Sequence, residues 1–336
     1  MTTMAISLTR YLLEHEAKRP ELGLDFCHLM GQLAFAAKAI AREVGRAPLI
    51  GSAGLTGEQN ATGDDQQKLD IVSNEIVIAA FAGTGIVSDI ISEEMEEPRH
   101  LQGAGNAPFV LCIDPLDGSS NTGANGAVGS IFGIYRRPEH FDKDDLFKII
   151  RHGSEQVAAG YVMYGSSTLL VYTSSGGVNE FTLDPALGEF LLSHPDMRCP
   201  TRGKYFSANL GNLPRWPVGV RSYVEYITSN DAPGGKAYSL RYTGAFVADI
   251  HRILISGGVF FYPAEAGSAT GKLRLLYECA PLAYLIEHAG GHATTGDQRI
   301  LEVEAHKIHQ RTAIAIGSAD DVAAYEKFYK QNSRTA

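Results

Sequence analysis

The chain of 336 residues carries 38 acidic against 29 basic side chains, a formal charge of -9 at pH 7, with 44% hydrophobic residues. That length exceeds one usual domain and that apolar share fills a sizeable core, while the acidic balance excludes a general nucleic-acid binder or a polybasic membrane-surface protein, both of which need a basic face. Cys27, Cys112, Cys199 and Cys279 include no Cys-x-x-Cys pair, and no apolar run approaches the ~18 residues of a membrane span, so reduced thiols, a cytoplasmic setting and neither signal peptide nor membrane partner are expected.

In chain order, residues 9–17 read as a short helix stopped before Pro20, and Phe26, Leu29, Met30, Leu33, Ala37, Ile40 and Val44 form the core-facing stripe of a longer one. A glycine-rich linker over 51–57 leads to Asn60-Ala61-Thr62-Gly63-Asp64-Asp65. Leu69, Val72, Ile76, Val77 and Ala80 predict a helix over 66–81 with Asp70 in its first turn, where the macrodipole by itself accounts for a carboxylate. Residues 86–91 read as a strand ending in Ser92-Glu93-Glu94, adjacent acids that normally face solvent.

The apolar run Phe109-Val110-Leu111-Cys112-Ile113 predicts a buried strand that delivers Asp114 at its tip. Pro115 is expected to end the ladder and Asp117-Gly118 to make a tight turn, after which Gly118-Ser119-Ser120 offers N–H groups and hydroxyls to an anion. Two carboxylates beside a phosphate-sized cradle suit Mg²⁺ shared with a substrate phosphate. Residues 130–135 follow as a strand, 140–147 as a polar surface loop, and 168–173 with 178–183 as a hairpin around Ser174-Ser175-Gly176-Gly177. The segment 194–204, with Pro195 and Pro200, marks the expected domain boundary. Beyond it, 218–227 and 243–255 read as helices, the latter closed by Gly257-Gly258; 259–262 and 313–316 read as strands and 278–289 as a helix. Ser318 and Asp321 have capping-box spacing at the start of the last helix, and alternating strands and helices imply layered α/β architecture with mixed sheets.

Three acidic sets, Asp64/Asp70, Glu93/Glu94 and Asp114/Asp117, fall at strand ends or a helix start, where α/β sheets place ligands. If they converge, their mutual repulsion calls for several cations. On a strand Lys272 and Arg274 share one face, and with Arg241-Tyr242 they suffice to hold an anionic substrate. His306-x-x-His309 is an isolated pair, short of the three or four donors of a zinc site.

Gly63-Asp64-x-x-x-Lys68-Leu69-Asp70, Ser92-Glu93-Glu94, Asp114-Pro115-Leu116-Asp117-Gly118-Ser119-Ser120-Asn121, Arg241-Tyr242-x-Gly244 and Gly271-Lys272-Leu273-Arg274-Leu275-Leu276-Tyr277-Glu278 together resemble the ordered motifs of class I fructose-1,6-bisphosphatase. Glu278 stands where the wider inositol-monophosphatase-like, lithium-sensitive superfamily commonly has Trp-Asp. The resemblance implies a mixed α+β, layered α-β-α-β-α fold, with a regulatory-type N-terminal domain over 1–196 carrying most metal ligands and a sugar-phosphate-binding domain over 197–336. It implies Mg²⁺-dependent hydrolysis of the 1-phosphate of fructose 1,6-bisphosphate by a homotetramer, with two or three ions per subunit and Mn²⁺ as a substitute. By the same resemblance Glu93, Asp114, the Leu116 carbonyl, Asp117 and Glu278 bind metal, Asp64 lies near a third ion, and Asp70 and Glu94 activate water. Residues 117–120 take the 1-phosphate, while Asn209, Tyr242, Tyr262, Lys272 and Arg241 of a neighbouring subunit hold the sugar and 6-phosphate. Leu210 where the family often has Glu, and Gly267 where some members have Lys, keep sedoheptulose 1,7-bisphosphate open as a substrate, and a catalytically silent sensor stands as a reading from another class. Leu22-Gly23-Leu24-Asp25 and Pro108-Phe109 replace the family's AMP-binding residues, although Arg136 is kept, so AMP inhibition is expected to be weak or absent. The chloroplast type's cysteine-bearing insertion is also missing, so thioredoxin control is not expected.

Overall fold

Helical apolar spacing near the N-terminus produces α1 (Leu8–Tyr11), a π-turn over Leu12–Glu16 and the long α2 (Gly23–Ile50). The computed structural model describes residues 5–50, 54–59, 65–138, 146–265 and 270–333; Asp64, Gly267 and most of the expected 140–147 loop lie outside the described residues. The expected linker over 51–57 is partly a strand, since β1 (Leu55–Gln59) pairs antiparallel with β2 (Asp65–Gln67) just before α3 (Lys68–Phe81).

The strands β3 (Val87–Ser92), β4 (Arg99–His100), β5 (Phe109–Asp117), β6 (Val128–Arg136), β7 (Gln156–Tyr164), β8 (Thr168–Thr173), β9 (Val178–Asp184) and β10 (Glu189–Met197) form one sheet among the described residues. Its order is β10-β9-β8-β7-β6-β5-β3-β4, and β3 and β5 are parallel within an otherwise antiparallel array. A short helix α4 (Leu146–Ile149), which includes Phe147, precedes β7. β10 runs through His194 and Pro195, which were expected in an interdomain segment; as the edge strand it tolerates a proline that has no N–H for a ladder.

A second sheet has the order β12-β11-β13-β17-β15, built from β11 (Tyr205–Ser207), β12 (Ser239–Leu240), β13 (Val259–Tyr262), β15 (His292–Thr294) and β17 (Ile314–Gly317). Beside it β14 (Leu273–Arg274) pairs with β16 (Arg311–Thr312). The intervening helices are α5 (Val218–Ile227), α6 (Phe246–Ser256) and α7 (Ala280–His288), and α8 (Ala319–Ser333) closes the chain.

Side-chain alternation sorts these elements into layers. Along β5, Phe109, Leu111 and Ile113 pack with α2 and α3, whereas Val110 and Cys112 pack with α6 and α7. On β13, Phe260 joins the α6/α7 side and Val259 and Phe261 face α5 and α8. The stacking is therefore helix, sheet, helix, sheet, helix, the expected α-β-α-β-α arrangement. The four cysteines are buried and unpaired, as expected of reduced thiols. No helix among the described residues is long and apolar enough to cross a membrane.

The Ser318/Asp321 capping box does not form. Ser318 Oγ donates to the Pro200 carbonyl at 2.6 Å and accepts from Gly258 N at 2.9 Å, while Asp321 accepts from Tyr238 Oη at 2.7 Å and Gly203 N at 2.8 Å. Both side chains join the start of α8 to distant loops instead.

Candidate active site

Because β3 and β5 run parallel, with Ser92 beside Ile113, Glu93-Glu94 and Asp114–Asp117 emerge at one edge of the sheet. Pro115 does not end β5, contrary to expectation. The ladder continues through a bulge: Asp114 pairs with Ile131 and Asp117 with Gly129, so β5 uses one residue more than β6. Pro115 has no N–H for the ladder, and its carbonyl accepts from Ser130 Oγ at 2.7 Å. Leu116 lies within the bulge, its N–H donating to Asp114 Oδ1 at 3.0 Å.

Glu278 reaches the same place from the other half of the chain. It sits in a π-turn, Leu275–Cys279, that precedes α7, and its Oε2 accepts from Arg274 N at 2.5 Å. Carboxylate oxygens of Asp114, Asp117 and Glu278 all lie within 4.8 Å of one another, and the three side chains are buried. Burial pushes Asp117 and Glu278 up to about 7 and holds Asp114 well above the usual carboxylate range; Glu93 adds repulsion on both aspartates, whereas Arg274 opposes the rise of Glu278. Arg274 is itself buried and pairs with Glu93, Nη2 to Oε1, at 3.1 Å. It does not share an open face with Lys272, which is exposed. An arginine beside several buried acids is drawn to them before any substrate arrives.

Asp70 occupies the first turn of α3 as expected, its Oδ2 accepting from Gln67 N at 2.7 Å and lying 3.4 Å from Ser119 Oγ. Its Oδ1 is buried without a hydrogen-bond partner, and burial, with Glu94 and Glu93 nearby, raises its carboxyl to about 7. Gln66 Nε2 donates to Glu94 Oε2 at 2.7 Å. The first-turn position thus explains how Asp70 is held, and its burial sets it close to Glu94 and Glu93. An all-oxygen set of buried carboxylates, each costly to ionise alone, fits a hard divalent cation.

The anion cradle follows directly. Gly118 takes a left-handed conformation (φ 73°) and opens a 3₁₀ turn over Ser119–Ala124, while Asn121 Nδ2 donates to the Thr243 carbonyl at 3.1 Å. α6 begins at Phe246, later than expected, because Gly244 takes a positive φ (80°) and Ala245 is extended: Thr243 N donates to Asp249 Oδ1 at 3.1 Å, and Val247 N donates to Asp117 Oδ2 at 2.8 Å. A Cβ on Gly118 would stand 2.4 Å from Ala245 Cβ and 2.9 Å from Ala245 Cα. Gly118→Ala should therefore cost about 2–4 kcal/mol of stability through overpacking and a left-handed alanine, and phosphate release should fall with it. Urea titration checks this, and an alanine variant as stable as the parent would refute the close approach.

Next to the acids lies a cavity of about 360 Å³ lined by Asn209, Asn212, Arg215, Tyr262, Glu265, Lys272 and Arg311, among others. Asn209, Lys272 and Tyr262 were expected here; Asn212, Arg215, Glu265 and Arg311 were not. Asn209, Asn212 and Arg215 are three residues apart and so eclipse one another along the 3₁₀ turn Leu210–Arg215, a spacing visible in the sequence once that turn is known. Arg215 binds Glu265 at 2.6 Å and Asn212 Oδ1 at 2.7 Å, and Asn212 Nδ2 reaches Tyr262 Oη at 3.3 Å. Tyr242 is raised to about 12 by burial, with nearby Tyr262, Asp249 and Asp117 adding to the rise. Arg241 points elsewhere, over the Tyr205 ring at 5.5 Å. Ser120 is exposed.

The chain matches the family models described as fructose-1-6-bisphosphatase, N-terminal domain, over residues 6–195, and fructose-1-6-bisphosphatase, C-terminal domain, over residues 199–330. It is 52% identical over 308 residues to a class 1 fructose-1,6-bisphosphatase of Acaryochloris marina, covering 92% of each chain. It is 42% identical to the cytosolic fructose-1,6-bisphosphatase of Spinacia oleracea over 100% of this chain and 98% of that one. The crystal structure of Leishmania major fructose-1,6-bisphosphatase in holo form superposes with a TM-score of 0.91 at 39% identity, covering 97% of this chain and 99% of the other.

Proposed function

The chain belongs to the class 1 fructose-1,6-bisphosphatase family and is a metal-dependent phosphomonoester hydrolase of fructose 1,6-bisphosphate; we propose that it removes the 1-phosphate at the buried carboxylate cluster, yielding fructose 6-phosphate and phosphate. The observation that carries this siting is the meeting of Asp114, Asp117 and Glu278 within 4.8 Å beside the Gly118 turn. Glu93, Asp114, Asp117, Glu278 and the Leu116 carbonyl, with Asp64 near a third ion, would hold two or three Mg²⁺ ions per subunit, or Mn²⁺ in their place. Bound there, divalent cations neutralise charge on the phosphoryl and leaving oxygens.

The protein's own groups do the rest. Asp70, whose Oδ1 is buried without a hydrogen-bond partner, and Glu94 orient the attacking water and take its proton as the P–O bond to C1 breaks. N–H groups and hydroxyls at residues 118–120 hold the phosphate. Asn209, Tyr242, Tyr262 and Lys272 bind the sugar and the 6-phosphate, with Arg241 of a neighbouring subunit completing the cavity in a homotetramer. Arg274 serves the reaction by fixing Glu93 rather than by contacting sugar. The division at residues 196 and 197, separating most metal ligands from the sugar-phosphate pocket, and a cytosolic location belong to the same reading.

Phosphate release from fructose 1,6-bisphosphate with and without Mg²⁺ tests the proposal: release that requires the cation supports it, and none with Mg²⁺ or Mn²⁺ defeats it. Comparing kcat/KM for sedoheptulose 1,7-bisphosphate decides between the two sugars, which Leu210 leaves in competition.

AMP should not inhibit at micromolar concentrations. The cavity of about 830 Å³ lined by Asp25, Asn106, Pro108, Arg136 and Arg137 includes a carboxylate, which would oppose a bound phosphate. Arg136 is already engaged, donating to the Glu21 carbonyl at 2.7 Å and lying over the Phe109 ring. Strong inhibition in an AMP titration would overturn this expectation.

A further inference from the structure

One member of the His306-x-x-His309 pair has a place next to the cluster that the catalytic scheme leaves unused. His309 Nε2 lies 3.0 Å from the Met95 carbonyl oxygen, and Nδ1 lies 2.7 Å from the Tyr277 hydroxyl. A carbonyl can only accept, so Nε2 carries the hydrogen; in the neutral ring Nδ1 is then an acceptor, and Tyr277 donates to it. Burial disfavours the charged ring, which agrees with a neutral imidazole there.

The two partners are informative. Met95 directly follows Glu93 and Glu94, and Tyr277 directly precedes Glu278. The segment that carries His309 also builds the turn that carries Glu278: Leu275 N donates to the Gln310 carbonyl at 2.7 Å, and β14 and β16 pair Leu273 with Thr312 and Arg274 with Arg311. Residues 306–312 are thus a frame for the Glu278 turn, and the His309 side chain extends that frame to the Glu93/Glu94 turn of the other sheet. The Arg274–Glu93 pair spans the same gap with charge, which a bound cation weakens by competing for Glu93. His309 spans it with neutral hydrogen bonds that no cation displaces.

We infer that His309 is a positioning residue that sets the separation of the Glu93/Glu94 turn from Glu278, and through it the affinity of the carboxylate cluster for divalent cations, without contacting substrate. The inference rests on the metal-centre reading above. Its test uses the full chain and Mn²⁺ alone, with free Mn²⁺ followed by electron paramagnetic resonance. His309→Ala removes both bonds; His309→Gln keeps an amide donor in the Nε2 position; His309→Asn is too short to reach Met95.

The alanine variant should bind Mn²⁺ about tenfold more weakly, its half-saturating Mg²⁺ in turnover should rise in parallel, and KM for fructose 1,6-bisphosphate at saturating metal should stay within about twofold. Glutamine should recover affinity to within about threefold of the parent, and asparagine should not. If the alanine protein fails to fold, the contrast between glutamine and asparagine carries the same test. Unchanged Mn²⁺ affinity in a folded alanine or asparagine variant, a KM change without a metal change, or equal losses in glutamine and asparagine would overturn it. Mn²⁺ binding that survives Asp117→Asn would instead show that the metal-centre reading is wrong, and the inference falls with it.

Discussion

Asp117→Asn should reduce phosphate release by at least about a thousandfold, a loss of about 4 kcal/mol of transition-state stabilisation, while leaving the fold intact. The amide oxygen can still accept from Val247 N, so the junction between β5 and α6 survives. What disappears is one negative charge from a cluster in which Asp117, Asp114 and Glu278 oppose one another. Without metal, the variant should therefore melt no lower than the parent, and above neutral pH it should melt higher. Divalent cations should raise the melting temperature of the parent and leave the variant nearly unmoved. A variant that retains full turnover would remove Asp117 from the site; one that merely unfolds would show that Asp117 is structural.

Metal-free protein should lose stability as pH rises from 5.5 to 8. Asp70, Asp117 and Glu278 have carboxyls raised to about 7 by burial, against about 4 for the same groups in an unfolded chain. Between those values the folded state holds more protons than the unfolded state. Their contribution is complete below about pH 4 and is lost as pH climbs through about 7. His251 and His309, lowered by burial, oppose this slope in the acidic part of the window because they are neutral when folded and protonated when unfolded. Thermal melts in a chelator measure the balance, and repeating them with Asp117→Asn assigns it, since the fall should flatten there. Saturating Mg²⁺ should restore stability at pH 8 far more than at pH 5.5, where protons compete for the same oxygens. A melting temperature that rises steadily from pH 5.5 to 8 without metal would contradict the buried, repelling cluster.

Much of this was written locally. The run from Phe109 to Ile113, followed by Asp-Pro-Leu-Asp-Gly, specifies a buried strand and a turn that needs a left-handed residue, and β5 and Gly118 supply both, although Asp114 lies inside β5, which ends at Asp117 instead. The apolar spacing in α3 likewise fixes where Asp70 stands along its helix. Other elements lacked a readable signal. β7, Gln156–Tyr164, is rich in alanine and glycine and buried almost throughout, so it shows no alternation to separate a strand from a buried helix. β10 contains a proline that is tolerable only because the strand lies at the sheet edge, a matter of neighbours rather than composition.

By itself, then, the sequence determined the types of acid, their placement at strand ends and a helix start, and the turn beside them, because these depend on periodicity, backbone freedom and capping over a few residues. Only the tertiary structure decided which acids meet. Glu278 joins Asp114 and Asp117 through a π-turn braced by residues 306–312, and Arg274 turns inward to Glu93 while Lys272 stays at the cavity it lines with Asn209 and Tyr262. Those choices follow from burial and charge between segments far apart in the chain, where desolvation makes each carboxylate seek a cation, and short-range pattern carries no information about which one it finds.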